Sequence, residues 1–155
     1  MSEGVRIERD GAVRLLRFDR PGKKNAITGA MYEALAAGLE EAGRDTEIGV
    51  CVFLGAPGIF TAGNDIREFM SFAGEQPGLG KPILRFLRAL AACDRPLIAG
   101  VDGAAIGIGT TLLLHCDYVL ATPRSVFRAP FTALGLTPEA AASLLAPRLM
   151  GHARA

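Results

Sequence analysis

The stretch "VCVFLGAPGIFTAGNDIREFM", residues 50–70, decides the fold. Val50 to Leu54 is an unbroken apolar run of strand length, and a helix-like run leaves from Asp65. Between them sits a small, glycine-bearing turn with Asn64 at its tip. A strand-to-helix turn needs glycine and an Asx cap for its own geometry. The other reading is that the turn aims a backbone N–H at something. A second stretch, "PLIAGVDGAAIGIGTTLLLHCD" at 96–117, has the same design: a buried strand, the turn Ala105-Ile106-Gly107-Ile108-Gly109, then a helix. Helix N-termini present unpaired N–H groups and partial positive charge. Two of them converging would hold an oxygen that gains negative charge during a reaction.

Outward from these junctions, strands alternate with helices. Two short alternating runs flank Asp10-Gly11, a hairpin signal. Thr28 is placed to cap a helix to about Arg44, with Met31, Leu35, Leu39 and Ala42 on one face. The glycine- and proline-rich segment "SFAGEQPGLGKP" reads as a mobile loop. Pro82 begins a helix whose stripe is Ile83, Leu84, Leu87, Leu90 and Ala91. "YVLA" and "SVFRA" are short strands, and Thr137-Pro138-Glu139 opens a last helix. The pattern is α/β with mostly parallel pairing.

At 155 residues the chain is one domain, 1–155, large enough to bury roughly 70% of its unfolded surface. Its net charge is +1, with scattered basic residues, so no electrostatic stripe points to nucleic acid. The three cysteines are odd in number and sit inside apolar runs without C-x-x-C spacing, which reads as buried thiols in a reducing compartment. Charges occupy the place of a signal-peptide core, and no apolar stretch approaches membrane-spanning length. A cytoplasmic protein is expected, with neither membrane nor nucleic acid as partner.

Four ordered blocks, "RPGKKNAITGAMYEAL", "GIFTAGNDIREF", "RPLIAGVDGAAIGIGTTLLLHCDYVLA" and "FRAPFTALGLTPEAAAS", resemble the crotonase superfamily of enoyl-CoA hydratases and isomerases. The resemblance implies a spiral of ββα units that binds an acyl-CoA thioester as substrate and needs no cofactor or metal. It puts the two oxyanion-hole donors on the backbone N–H groups of Asn64 and Ile108. It implies substrate contacts from Lys24, Ala26, Ala62, Gly63 and Asp65. Ile66, Gly107, Phe131 and Leu136 are implied in the same way. Family members also carry C-terminal helices that cover the site and build a homo-oligomer (trimer). This chain stops before that region, so loose association is expected rather than a tight closed trimer.

Hydratases of the family carry two glutamates where this chain has Thr111 and Phe131. Adding water across a double bond needs carboxylates to orient and deprotonate that water. "PFTALGLTPEAAAS" instead resembles the peroxisomal-type Δ3,Δ2-enoyl-CoA isomerases, in which a single glutamate at the place of Glu139 moves the proton. The implied function is migration of a 3-enoyl-CoA double bond to trans-2-enoyl-CoA. An enoyl-CoA hydratase, a non-catalytic acyl-CoA-binding remnant or partner subunit, and an RNA-binding role are the alternatives.

Glu139 carries a tension. At the second position of a helix, the dipole would lower its pKa, whereas a base that returns its proton wants that pKa raised. Burial near Phe131, Leu134 and Leu136 would have to win. Other features carry bland readings. Gly107-Ile108-Gly109 lacks the third glycine and the downstream acid of a dinucleotide fingerprint. His115-Cys116-Asp117 reads as a helix end entering a strand rather than a metal site. Lys23 and Lys24 fit coenzyme A phosphates or a solvated turn equally. Phe69, Met70, Phe72, Phe86 and Leu87 fit an acyl channel, though core packing suits any one of them better.

Overall fold

The computed structural model describes residues 4–68, 70 and 80–155. The chain opens with the expected hairpin, β1 (Val5–Asp10) antiparallel to β2 (Val13–Phe18), turning at Gly11. A 3-10 turn at Pro21–Lys23 leads to α1 (Gly29–Arg44). Thr28 caps α1, its hydroxyl accepting from the Met31 N–H at 3.3 Å. Met31, Tyr32, Leu35, Leu39 and Ala42 are buried on the inward face.

Three successive units follow, each sending one strand to either of two sheets. The pairs are β3 (Val50–Leu54) with β4 (Ile59–Thr61), β5 (Leu97–Val101) with β6 (Ala104–Ile106), and β7 (Tyr118–Ala121) with β8 (Val126–Arg128). The first strand of each pair extends a five-stranded sheet in the order β1-β2-β3-β5-β7. The second builds a three-stranded sheet in the order β4-β6-β8. Every pairing between the named strands after the hairpin is parallel, with Cys51 opposite Leu97, Ile98 opposite Tyr118, and Thr61 opposite Ala105. Helical segments close each unit. Residues 66–68 and 70 and α2 (Lys81–Ala92) follow the first. The single turn α3 (Ile108–Thr111), continued as 3-10 to His115, follows the second. A 3-10 turn at Thr132–Leu134 and α4 (Ala142–Met150) follow the third. The architecture is the α/β spiral of ββα units.

The core lies between the larger sheet and the α1–α2 layer. Phe86 of α2 meets Tyr32 at 5.4 Å and Phe53 at 6.4 Å between ring centroids. Phe18 stands edge-on to Phe60 at 5.3 Å, joining the two sheets.

Several expectations need correction. The residues alone gave strand, turn, helix at each junction, but β4 and β6 are extra strands inside those turns, too short at three residues to show a period of two. The inward stripe of α2 is Ile83, Phe86 and Leu90, while Leu84 and Ala91 face out. Thr137-Pro138-Glu139 does not open the last helix. Ala140 and Ala141 take left-handed backbone angles (φ 52° and 53°), and α4 begins only at Ala142. Of the expected loop at residues 71–82, residues 71–79, with Phe72, lie outside the described residues, as does Phe69, whereas Lys81 and Pro82 already belong to α2.

Candidate active site

The first junction is built around a buried asparagine. Asn25, in left-handed conformation, accepts the Arg20 N–H at 2.8 Å and donates to the carbonyls of Ile59 (3.2 Å) and Phe60 (3.0 Å). Thr61 donates its hydroxyl to Asn25 O at 2.6 Å and accepts the Gly63 N–H at 3.1 Å. The Ala62 N–H goes to Lys24 O, the Gly63 carbonyl to the Ile27 N–H, and the Asp65 N–H to Ile27 O, all at 2.8–2.9 Å. This is a parallel bridge between Ile27 and Asn64. In such a bridge the flanking groups bond the partner, and the central residue's own N–H turns to the other side. The Asn64 N–H has no acceptor among the described residues. The Asp65 carboxylate pairs with Arg20 at 2.7 Å, and that hydrogen bond holds its pKa below the usual range. Asp65 therefore latches the turn.

The second junction is pinned to β8. The Gly107 N–H donates to Arg128 O at 2.8 Å, and the Thr110 hydroxyl donates to Ala105 O at 2.6 Å. Gly107 carries a positive φ of 56° and precedes α3, whose first residue is Ile108. The Thr110 and Thr111 N–H groups return to Gly107 O, and the Ile108 N–H has no acceptor among the described residues.

The two junctions touch. A Cβ on Gly63, itself at φ 88°, would stand 2.8 Å from Ile106 O. One on Gly109 would stand 2.5 Å from the Thr61 methyl. Only glycine permits this approach. Asn64 and Ile108, expected as a pair, thus come from turns in van der Waals contact.

Glu139 comes from the third unit. It is half-buried, and burial pushes its pKa up to about 7. Its charge acts on the buried phenol of Tyr32, whose hydroxyl donates to the Asn64 side-chain oxygen. Burial first, and Glu139 second, raise the Tyr32 pKa well above its ordinary value. The backbone beside Glu139 is held by His115, whose Nε2 lies 2.8 Å from Ala140 O. The opposing helix-terminus effect does not arise in the expected form, because Glu139 precedes α4 by three residues. Of the three apolar neighbours expected around it, Phe131 is buried, whereas Leu134 and Leu136 are exposed.

The remaining candidates scatter. Ala26 is half-buried and offers its carbonyl to Arg20 at 3.1 Å. Lys23 and Lys24 are exposed, as are Ile66 at 65% and Met70 at 68%. Phe86 belongs to the core and Leu87 packs against it. Thr111 is buried with its hydroxyl unpartnered among the described residues. Asp117 accepts the Leu97 N–H at 2.7 Å, the structural role its position suggested. A cavity of about 380 Å³ opens elsewhere, at the C-terminal ends of β3, β5 and β7, and contains none of the candidates. Sequence reading passed over Tyr32, Asn25 and Arg20, and it took His115 for a helix end without its bond to the Ala140 carbonyl. Tyr32 shares the inward face of α1 with Met31, so periodicity marked it as core and gave no sign of its hydroxyl partner.

No helix among the described residues is long and apolar enough to cross a membrane, and no group of three or more His, Cys, Asp or Glu side chains there is placed to hold a metal. Residues 8–155 match the family model described as enoyl-CoA hydratase/isomerase. The chain is 39% identical to "Enoyl-CoA delta isomerase 2" of Rattus norvegicus, over 99% of its own length and 40% of that protein. It is 36% identical to "2,3-dehydroadipyl-CoA hydratase" of Escherichia coli K12, over 100% of its length and 60% of that protein. The solved structure of Pseudomonas aeruginosa OdaA superposes with a TM-score of 0.90 at 47% identity, covering 98% of this chain and 61% of that one. The chain thus spans about 40–60% of the length of these relatives. With its spiral and its paired glycine junctions, it belongs to the enoyl-CoA hydratase/isomerase family.

Proposed function

We propose that this chain carries the chemistry of a Δ3,Δ2-enoyl-CoA isomerase acting on a coenzyme A thioester. The observation that carries the reading is Glu139, a carboxyl held near neutrality by burial beside the Tyr32–Asn64 pair. The Asn64 and Ile108 N–H groups would receive the thioester oxygen. The Glu139 carboxylate takes a proton from C2 of a 3-enoyl thioester. Electrons move through C2 and the carbonyl carbon to the oxygen, giving a dienolate. The two N–H donors stabilise that charge, each worth roughly 10²–10³ in rate. Glu139 then returns the proton at C4, the C2–C3 double bond forms, and the carboxylate is regenerated. One carboxyl suffices because it is base and acid in turn.

Hydration would need a second carboxylate to handle water, and the two positions that would supply one hold Thr111 and Phe131. The test is turnover of trans-3-hexenoyl-CoA beside hydration of crotonyl-CoA by the same preparation. The reading expects isomerisation to exceed hydration by about 10² or more, the scale of one general base. Brisk hydration of crotonyl-CoA would overturn it in favour of a hydratase. Tight binding of both thioesters without turnover would favour an acyl-CoA-binding role.

A further inference from the structure

The backbone beside Glu139 is strained in a way that its own residues do not explain. Ala140 and Ala141 are consecutive left-handed residues, at φ 52° and 53°. Such angles are costly for a residue with a Cβ, and come easily only to glycine or to a short polar side chain that bonds locally. Lys24 and Asn25, the other adjacent non-glycine residues with positive φ among those described, have the Asn25 side chain to hold them. Alanine has no such group, so the conformation of Ala140 and Ala141 is imposed from outside.

The outside contact is His115. In an uninterrupted helix from Pro138, the Ala140 carbonyl would accept the Leu144 N–H. Here the Leu144 and Leu145 N–H groups both return to the Ala141 carbonyl, at 2.9 Å. The freed Ala140 carbonyl meets the His115 ring, whose Nε2 lies 2.8 Å away. A carbonyl only accepts, so Nε2 carries a hydrogen. The ring stands on a firm base. His115 ends the 3-10 continuation of α3, and Asp117, two residues on, is bonded twice to Leu97 of β5. Between them the Cys116 thiol donates to Leu112 O at 3.7 Å. Cys116, like Cys93, is only half-buried, which departs from the expectation of three buried thiols. Ala140 and Ala142 are buried, and α4 packs on the 3-10 segment that carries His115.

We propose that His115 is a positioning residue for Glu139: its bond to the Ala140 carbonyl holds the left-handed pair, which keeps Glu139 outside α4 and its carboxyl half-buried. The catalytic consequence rests on the isomerase reading, whereas the placement of the carboxyl does not. Without the bond, Ala140 and Ala141 relax to right-handed angles, and α4 extends back to the start that Thr137 and Pro138 favour. Glu139 then becomes a first-turn residue, where solvent and the helix N-terminus both favour its charged form. Burial, which now holds its pKa at about 7, is lost. In its present place, the titratable group on which Glu139 acts is Tyr32 of α1.

The test titrates the Glu139 carboxyl by NMR on protein with isotope-labelled glutamate, the Glu139→Gln spectrum identifying its signal. Wild type should titrate near pH 7. His115→Leu, which removes the donor, should titrate lower by about one unit or more. Its kcat for trans-3-hexenoyl-CoA should fall about tenfold or more with little change in KM, because the Asn64 and Ile108 N–H groups are untouched. His115→Gln, whose amide donates to the same carbonyl, should keep the wild-type midpoint and most of the rate. A loss of stability alone would reduce the amount of active protein without moving the midpoint. In wild type, spectra of labelled histidine should place the hydrogen of the neutral His115 ring on Nε2. A wild-type midpoint in the ordinary carboxylate range, an unchanged midpoint in folded His115→Leu, a lowered midpoint in His115→Gln, or a ring hydrogen on Nδ1 would each overturn the proposal. The wild-type and His115→Gln results decide even where His115→Leu does not fold. The titrations need no turnover, so a wild type that fails to isomerise overturns the isomerase reading alone.

Discussion

At the residue scale, the backbone and the side chain of Asn64 are engaged separately. The N–H faces away from Ile27, while the side-chain oxygen takes the Tyr32 hydroxyl. The side chain therefore holds the tip, and the N–H is the proposed donor. Asn64→Ala and Tyr32→Phe remove the same hydrogen bond, worth about 1 kcal/mol. Each should lower isomerase kcat roughly fivefold with little change in KM, and the double variant should lose no more than either single. Asn64→Pro removes the N–H itself and should abolish turnover. Steady-state kinetics on the four proteins separates these cases. The pairing with Tyr32 was not legible in the sequence, because the two residues are 32 apart and meet only through the fold. The tip itself was legible, since Gly63-Asn64 follows an apolar strand and precedes an Asx-capped helix.

At the element scale, the junctions depend on a buried polar clamp that pattern reading does not see. Asn25 joins the Arg20 N–H to the Ile59 and Phe60 carbonyls, and Thr61 closes the loop onto Asn25 O. A buried group that loses its partner costs about 1–3 kcal/mol. Asn25→Ala removes three hydrogen bonds at once; the Ile59 carbonyl keeps the Ala56 N–H, while the Arg20 N–H and the Phe60 carbonyl lose their side-chain partner, so the loss should be about 2 kcal/mol or more. Urea unfolding should show a lower midpoint with an unchanged slope, and loss of activity should follow the loss of fold. Strong periodicity made α1, α2, β3 and β5 legible. The short strands β4 and β6 carry too few residues for a pattern. The start of α4 was misplaced because Thr137-Pro138-Glu139 has the composition of a helix start, whereas left-handed Ala140 and Ala141 delay the helix to Ala142. Tertiary packing, with His115 on the Ala140 carbonyl, overrides that local signal.

At the scale of the whole molecule, each sheet has a strand from the third unit at its edge. Tyr118 and Leu120 on β7 and Val126 and Phe127 on β8 are all more than 40% exposed. Apolar edge strands of this kind favour association. The spiral nonetheless brings the junctions of the first two units, which carry Asn64 and Ile108, into contact, and the charge of Glu139, from the third, acts on Tyr32 beside Asn64. Proton transfer by Glu139 is the central claim, and exchange of the C2 proton with deuterated water measures it most directly. In wild type, exchange and isomerisation of trans-3-hexenoyl-CoA should share one pH profile. Both should rise as Glu139 ionises through about pH 7 and level off above it. Glu139→Gln keeps the shape of the side chain and leaves the N–H donors in place, so acyl-CoA should still bind. Exchange and isomerisation should fall together by about 10² or more. Exchange or isomerisation at near wild-type rate in Glu139→Gln would contradict the account.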